Sequence, residues 1–136
     1  MRFNMACIAD GVAIRDGRLS IRDVYDAVIV PGLPFEWTAA VAAMVEFGPE
    51  DTEGPIPFTV TLTLPDGGLG WKETTDKLIL YKRGWMVRGS LPVFMGLPKI
   101  GLQEAGDYEL KIEAGGDSWT LPLHVFTAAQ MAATRP

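Results

Sequence analysis

The stretch Ile56-Pro57-Phe58-Thr59-Val60-Thr61-Leu62-Thr63-Leu64, followed by Pro65-Asp66-Gly67-Gly68, constrains the fold more than any other part of the chain. Ile56, Phe58, Val60, Leu62 and Leu64 alternate with proline and three threonines. An apolar period of two puts one set of side chains on a buried face and the other on a polar face, as in a half-buried strand. Threonine suits that role because its branched Cβ fits the pleated surface. The Asp-Gly-Gly sequence then supplies residues that accept the positive φ of a tight hairpin turn.

The same code recurs. Tyr108, Leu110 and Ile112 alternate with Asp107, Glu109, Lys111 and Glu113. Gly115-Gly116-Asp117 turns the chain into Ser118 to Val125, with Trp119, Leu121, Leu123 and Val125 on one face. Pro122 cannot donate to a ladder, so this strand is expected at a sheet edge or bulged there. Lys111 and Pro122 are the expected edge guards. Near the N-terminus, Phe3 to Ala9 reads as the first strand, and Asp16-Gly17-Arg18 as a turn between Val12–Arg15 and Leu19–Ile21. Asp23 to Val30 continues the sheet until Pro31-Gly32-Leu33-Pro34. Residues 77–81 and 85–97 read as further strands, interrupted by Gly84, Gly89 and Pro92.

Residues 35–47 fit two descriptions. Phe35, Trp37, Ala39, Val41, Ala43, Val45 and Phe47 have strand spacing, while the alanines and the Trp37, Val41, Met44, Val45 series suit a helix. Strand-like neighbours favour the strand, and helix stays the alternative.

Strands bounded by Gly and Pro at this spacing predict an all-β fold, a two-sheet antiparallel β-sandwich, Ig-like or related. The expected division is a domain over 1–126 and a short frayed C-terminal tail over 127–136. At 136 residues, with 48% apolar and 21% charged side chains, one domain with a substantial core is affordable.

Charge and cysteine content narrow the function. A net charge of −5 argues against nucleic acid, whose phosphates call for a basic surface. No apolar run is long enough for a membrane helix, and the opening residues do not resemble a signal peptide. Cys7 is the only cysteine, which excludes an intrachain disulfide and points to the cytoplasm.

Two segments together resemble a family of small, functionally uncharacterised bacterial proteins. One is Cys7-Ile8-Ala9-Asp10 with Gly17 to Asp26. The other is Glu104 to Ile112, followed by the Gly-Gly turn and Leu121-Pro122-Leu123-His124-Val125. The resemblance implies a β-rich single domain and brings no catalytic residues to this chain.

The chemistry-bearing residues are sparse. His124 is the only histidine, so any serine or cysteine triad would need it. Alternation puts it on the outer face, where it is expected to have no partners. A lone histidine also excludes multi-histidine metal sites. Asp23 and Asp26 are three apart and face opposite ways on a strand, which does not suit a paired-carboxylate site. Asp10 and Asp16 read as turn residues. The acidic loop Glu50, Asp51, Glu53 lacks calcium-loop spacing and reads as solvated. Gly67, Gly68 and Gly70 lack the lysine and helix of a phosphate loop. No catalytic residue, metal site or cofactor is expected.

One segment departs from the acidic background. Tyr81, Lys82, Arg83, Trp85 and Arg88 combine aromatic and basic groups, the types that concentrate at interface centres. They are the expected partner-binding residues. The expected function is therefore a non-enzymatic interaction or assembly module. It would bind protein, as a homo-oligomer or with a different partner, through sheet edges and the 77–97 region. The alternative is a small-ligand or carbohydrate-binding sandwich with Trp71, Trp85 or Trp119 as a stacking platform.

Overall fold

The computed structural model describes residues 1–16, 18–82 and 88–134. The described residues form an all-β protein with one short helix. The strands are β1 (Arg2–Arg15), β2 (Arg18–Tyr25), β3 (Ala27–Val30), β4 (Phe35–Trp37), β5 (Ala40–Phe47), β6 (Gly54–Thr63), β7 (Leu69–Leu80), β8 (Gly89–Gly96), β9 (Ile100–Leu102), β10 (Gly106–Ala114) and β11 (Asp117–Thr127). Helix α1 (Ala128–Thr134) follows directly.

Four strands run in the order β2-β1-β5-β8, five in the order β3-β11-β10-β6-β7, and β4 pairs with β9. All pairings are antiparallel except β11 with β3. The alternation read from sequence is realised in β6 and β10. Phe58, Val60, Leu62, Leu110 and Ile112 are fully buried, and Tyr108 nearly so. The threonine face of β6 is turned the other way, and Thr59 shares a 2.8 Å hydroxyl contact with Thr74 of β7. Between β6 and β7, Gly68 N–H donates to the Asp66 carboxylate (2.7 Å), and Gly67, at φ 89°, donates to Leu64 C=O (2.9 Å). The β10–β11 turn uses Gly115 and Gly116 at φ 56° and 83°, a left-handed pair that side chains rarely tolerate.

Residues 35–47 are extended, as β4 and β5. Val41, Ala42 and Ala43 of β5 are fully buried, so both faces of that central strand are covered. Continuous burial explains why its pattern blurs toward a helix: apolar residues occupy both parities.

Other sequence expectations need correction. Asp23–Val30 is not one strand. The chain leaves the four-stranded sheet at Tyr25 and enters the five-stranded sheet at Ala27. Asp10 is not a turn residue; it lies within β1, which is continuous from Arg2 to Arg15. Strand β7 starts at Leu69 rather than Lys77, and β8 passes through Pro92 unbroken. Lys111 guards no edge, because β10 lies between β11 and β6. Pro122 is flanked by β10 and, from His124 onward, by β3. His124 N–H points to Asp26 C=O (2.7 Å), away from β10. By alternation the Pro122 nitrogen faces the same way, just before β3 begins, so its missing donor costs no ladder bond.

Phe3, Val41 and Val93 of the four-stranded sheet, Phe58, Leu110 and Leu123 of the five-stranded sheet, and Trp37 and Leu102 of the small sheet belong to one buried cluster. Where β1 runs beside β11, Phe3 N–H donates to the Asp117 carboxylate (2.8 Å).

Candidate functional site

The sheet orders end in β8 and β7, whose residues line one cleft, and neither strand has an outer partner among the described residues. The direction of the free backbone groups on β8 follows from its pairing with β5. Leu97 N–H donates to Ala39 C=O (2.8 Å), and Ala40 pairs with Gly96. In an antiparallel ladder, hydrogen-bonded and non-bonded pairs alternate. Leu91, Val93 and Met95 therefore bond toward β5, while Ser90, Pro92, Phe94 and Gly96 aim their main-chain groups outward. Pro92 removes one outward donor. Phe94 and Gly96 keep theirs.

Between the two edges lies an open cleft of about 530 Å³. Val93 and Met95 line it from β8, with Leu78 and Thr75 from β7 and Ile14 from the far end of β1. Glu73 and Lys77 form its charged rim, and Phe94 stands beside it, 45% exposed. Glu73 and Thr75 pair with Val60 and Phe58, so they share the inward side of the sheet but lie at its edge. The cleft thus combines an apolar lining with unpaired main-chain donors and acceptors.

The aromatic and basic residues expected from sequence lie on the β7–β8 connection. Tyr81 is 70% exposed. Lys82 is half-buried and already engaged: its Nζ donates to Gly48 C=O (2.9 Å) and Pro49 C=O (3.3 Å), and its N–H donates to Glu53 Oε1 (2.7 Å). Arg88 is exposed and lines a hollow with Arg2, Glu46 and Glu50. Arg83 and Trp85 lie outside the described residues. Lys82 and Arg88 therefore converge on the 48–53 loop. That loop is more ordered than its composition suggests. Asp51 accepts Gly48 N–H (2.8 Å) and the Met1 amine (3.1 Å). The Gly48 bond first, then the amine, holds its carboxyl below the usual range.

His124 has a partner after all. Its Nδ1 lies 2.8 Å from Asp107 Oδ1, because the two residues are paired across β10 and β11. Cross-strand pairing makes them neighbours, a relation that spacing alone does not reveal. Among the described residues, no hydroxyl or thiol bonds to its other ring nitrogen. Nor does any group of three or more His, Cys, Asp or Glu converge in a way that would hold a metal ion. Of the tryptophans weighed as platforms, Trp71 is half-buried against the core and Trp119 is 37% exposed. Trp85 lies outside the described residues. No helix is long and apolar enough to cross a membrane.

The fold and these surfaces define an all-β protein with a cleft between two free sheet edges. The chain belongs to a family of unknown function, DUF6941, whose model matches residues 4–126. No curated protein matches it.

Proposed function

We propose that this chain is a β-sandwich interaction module that takes an extended strand of a partner protein along the outer edge of β8 and performs no catalysis. The observation that carries the reading is the cleft of about 530 Å³ between β7 and β8. An added strand would hydrogen-bond to the free groups of Phe94, Gly96 and the Pro92 carbonyl. Strand addition of this kind draws affinity from the main chain and specificity from alternate side chains. Every second residue of the guest would face Ile14, Leu78, Val93 and Met95, so an alternating apolar segment fits. Glu73 and Lys77 at the rim would read charged residues beside it. The two larger sheets share one buried cluster, which supports the two-layer arrangement. Tyr81, Trp85 and Arg88 on the connecting segment are proposed to extend the contact.

The test is a pair of variants measured against a partner recovered from the native host. Phe94→Pro removes an outward donor without touching the β5 ladder. It should weaken binding at least tenfold, about 1.4 kcal/mol. Thr61→Lys, on the opposite face of β6, should leave affinity unchanged. A partner held equally by wild type and Phe94→Pro would place the contact elsewhere. Light scattering that found β8-dependent self-association would identify the guest as a second copy of this chain, overturning the hetero-partner reading.

A further inference from the structure

Tyr25, Phe35 and Trp37 meet at the β2 and β3 ends of the two sheet orders, away from β8 and β7. They line a shallow pocket of about 360 Å³. Its position follows from the chain path. Tyr25 ends β2, just before the crossing to β3, and Ala27 and Val28 of β3 form part of the lining. Phe35 and Trp37 share one face of β4, opposite Leu102 and Ile100 of β9. The Trp37 indole N–H donates to the Tyr25 hydroxyl (3.0 Å), which fixes both rings. Trp37 is only 3% exposed, so it forms a wall rather than a free platform.

Asp10 lines the same pocket and is exposed. Among the described residues its carboxylate has no hydrogen bond or ion pair. Glu36, the other acidic lining residue, lies 3.9 Å from Lys99 with both side chains largely exposed. Burial raises the Tyr25 pKa, and the Asp10 charge acts in the same direction, so the phenol stays neutral. Its oxygen already accepts one bond, and its own hydrogen has no acceptor among the described residues.

We propose that this pocket binds an organic cation, an ammonium or guanidinium head beside Asp10 on an aliphatic stem packed over Phe35 and Val28. An unpaired carboxylate favours a cation through charge, and the half-buried Tyr25 and Phe35 beside it supply apolar contact surface. The apolar lining from Ala27 and Val28 suits the methylene stem of such a group. The protein's net charge of −5 adds a weak attraction of the same sign. The pocket is separate from the β7–β8 cleft and does not depend on it.

Two sources carry this chemistry: a free alkylamine, or a lysine or arginine side chain of a polypeptide. The indole N–H signal of Trp37 in two-dimensional NMR reports both. The probes are n-butylammonium, an end-blocked Ala-Lys-Ala peptide, and the same peptide with norleucine for lysine. Saturable shifts with the first two and none with the third are expected below about 10 mM. Tighter binding of the peptide assigns a polypeptide source, and equal binding a free amine. Asp10→Asn should weaken either cation at least tenfold while the remaining amide spectrum stays in place. Tyr25→Phe removes the hydroxyl but keeps the wall, and should weaken binding less than Asp10→Asn does. The proposal is overturned if neither cation shifts Trp37, if norleucine shifts it equally, or if Asp10→Asn binds as well as wild type.

Discussion

Asp51 shows how a residue's role depends on partners that sequence proximity does not reveal. In the sequence it is one acid in a polar loop. In the fold it accepts hydrogen bonds from Gly48 N–H and the Met1 amine, while Lys82 clamps the carbonyls beside it. Its side chain is 16% exposed, so these bonds act with little competition from water. Its carboxyl is depressed below the usual range, chiefly by the Gly48 bond. A depressed acid contributes stability that is present above the unfolded pKa, near 4, and is lost as pH falls through the lower folded value. Asp51→Asn should therefore cost about 2 kcal/mol at pH 7 and flatten the decline in stability below about pH 4. Chemical denaturation at several pH values measures both effects; parallel pH curves for the two proteins would refute the assignment. The contrast is His124. Its bond to Asp107 joins side chains 38% and 83% exposed, where water and salt screen the pair. His124→Ala should change stability by less than about 1 kcal/mol, since the main-chain bond to Asp26 survives. A larger loss in the same denaturation experiment would mean that the pair supports the fold. The alternation placed His124 on the outer face, but Asp107 became its partner only through strand register.

At the scale of single strands, what sequence disclosed depended on how many faces were buried. Strands β6 and β10 were legible because each carries a dry face and a wet one, as Phe58 with Thr59 and Leu110 with Lys111 show. Strand β5 was ambiguous because Val41, Ala42 and Ala43 are all buried, which erases the alternation. The break between β2 and β3 leaves no mark in the sequence, because apolar spacing continues across Asp26 while the chain changes sheets. Pro92 reads as an interruption within 85–97 because the sequence does not show which way a strand's N–H groups point. Here the Pro92 nitrogen faces outward, where no ladder bond is lost. The register makes a sharp prediction. Val93→Pro removes an N–H that bonds toward β5 and should destabilise the protein by about 3 kcal/mol or more. Phe94→Pro removes an outward N–H and should cost clearly less. Thermal melts of the two variants decide it: equal losses, or the reverse order, would show that the alternation along β8 is misassigned.

At the scale of the whole molecule, the three sheets share a single buried cluster, and this shapes how the protein should unfold. Phe58 of β6, Val41 of β5 and Trp37 of β4 belong to that cluster, although their strands lie in different sheets. A shared core couples the sheets, because each loses its dry face when another departs. A further tie is Phe3 N–H to Asp117 where β1 passes β11. The sequence made the apolar supply for such a core visible but not its connectivity, which rests on pairings between distant segments such as β5 with β8 and β3 with β11. Cooperative unfolding is therefore expected to span all three sheets in one transition. Phe58→Ala should lower stability by about 3–5 kcal/mol, the usual cost of emptying a fully buried aromatic site. Phe58→Leu is the milder companion, at about 1–2 kcal/mol. Native-state hydrogen exchange reads the consequence residue by residue. In Phe58→Leu, the protection of Val41 and Val45 amides in β5 should fall by the same free energy as that of Leu110 in β10, although only Leu110 lies on the strand that pairs with β6. If the β5 amides kept their wild-type protection while Leu110 lost its own, the sheets would unfold independently, and the shared core would be a contact rather than a cooperative bond.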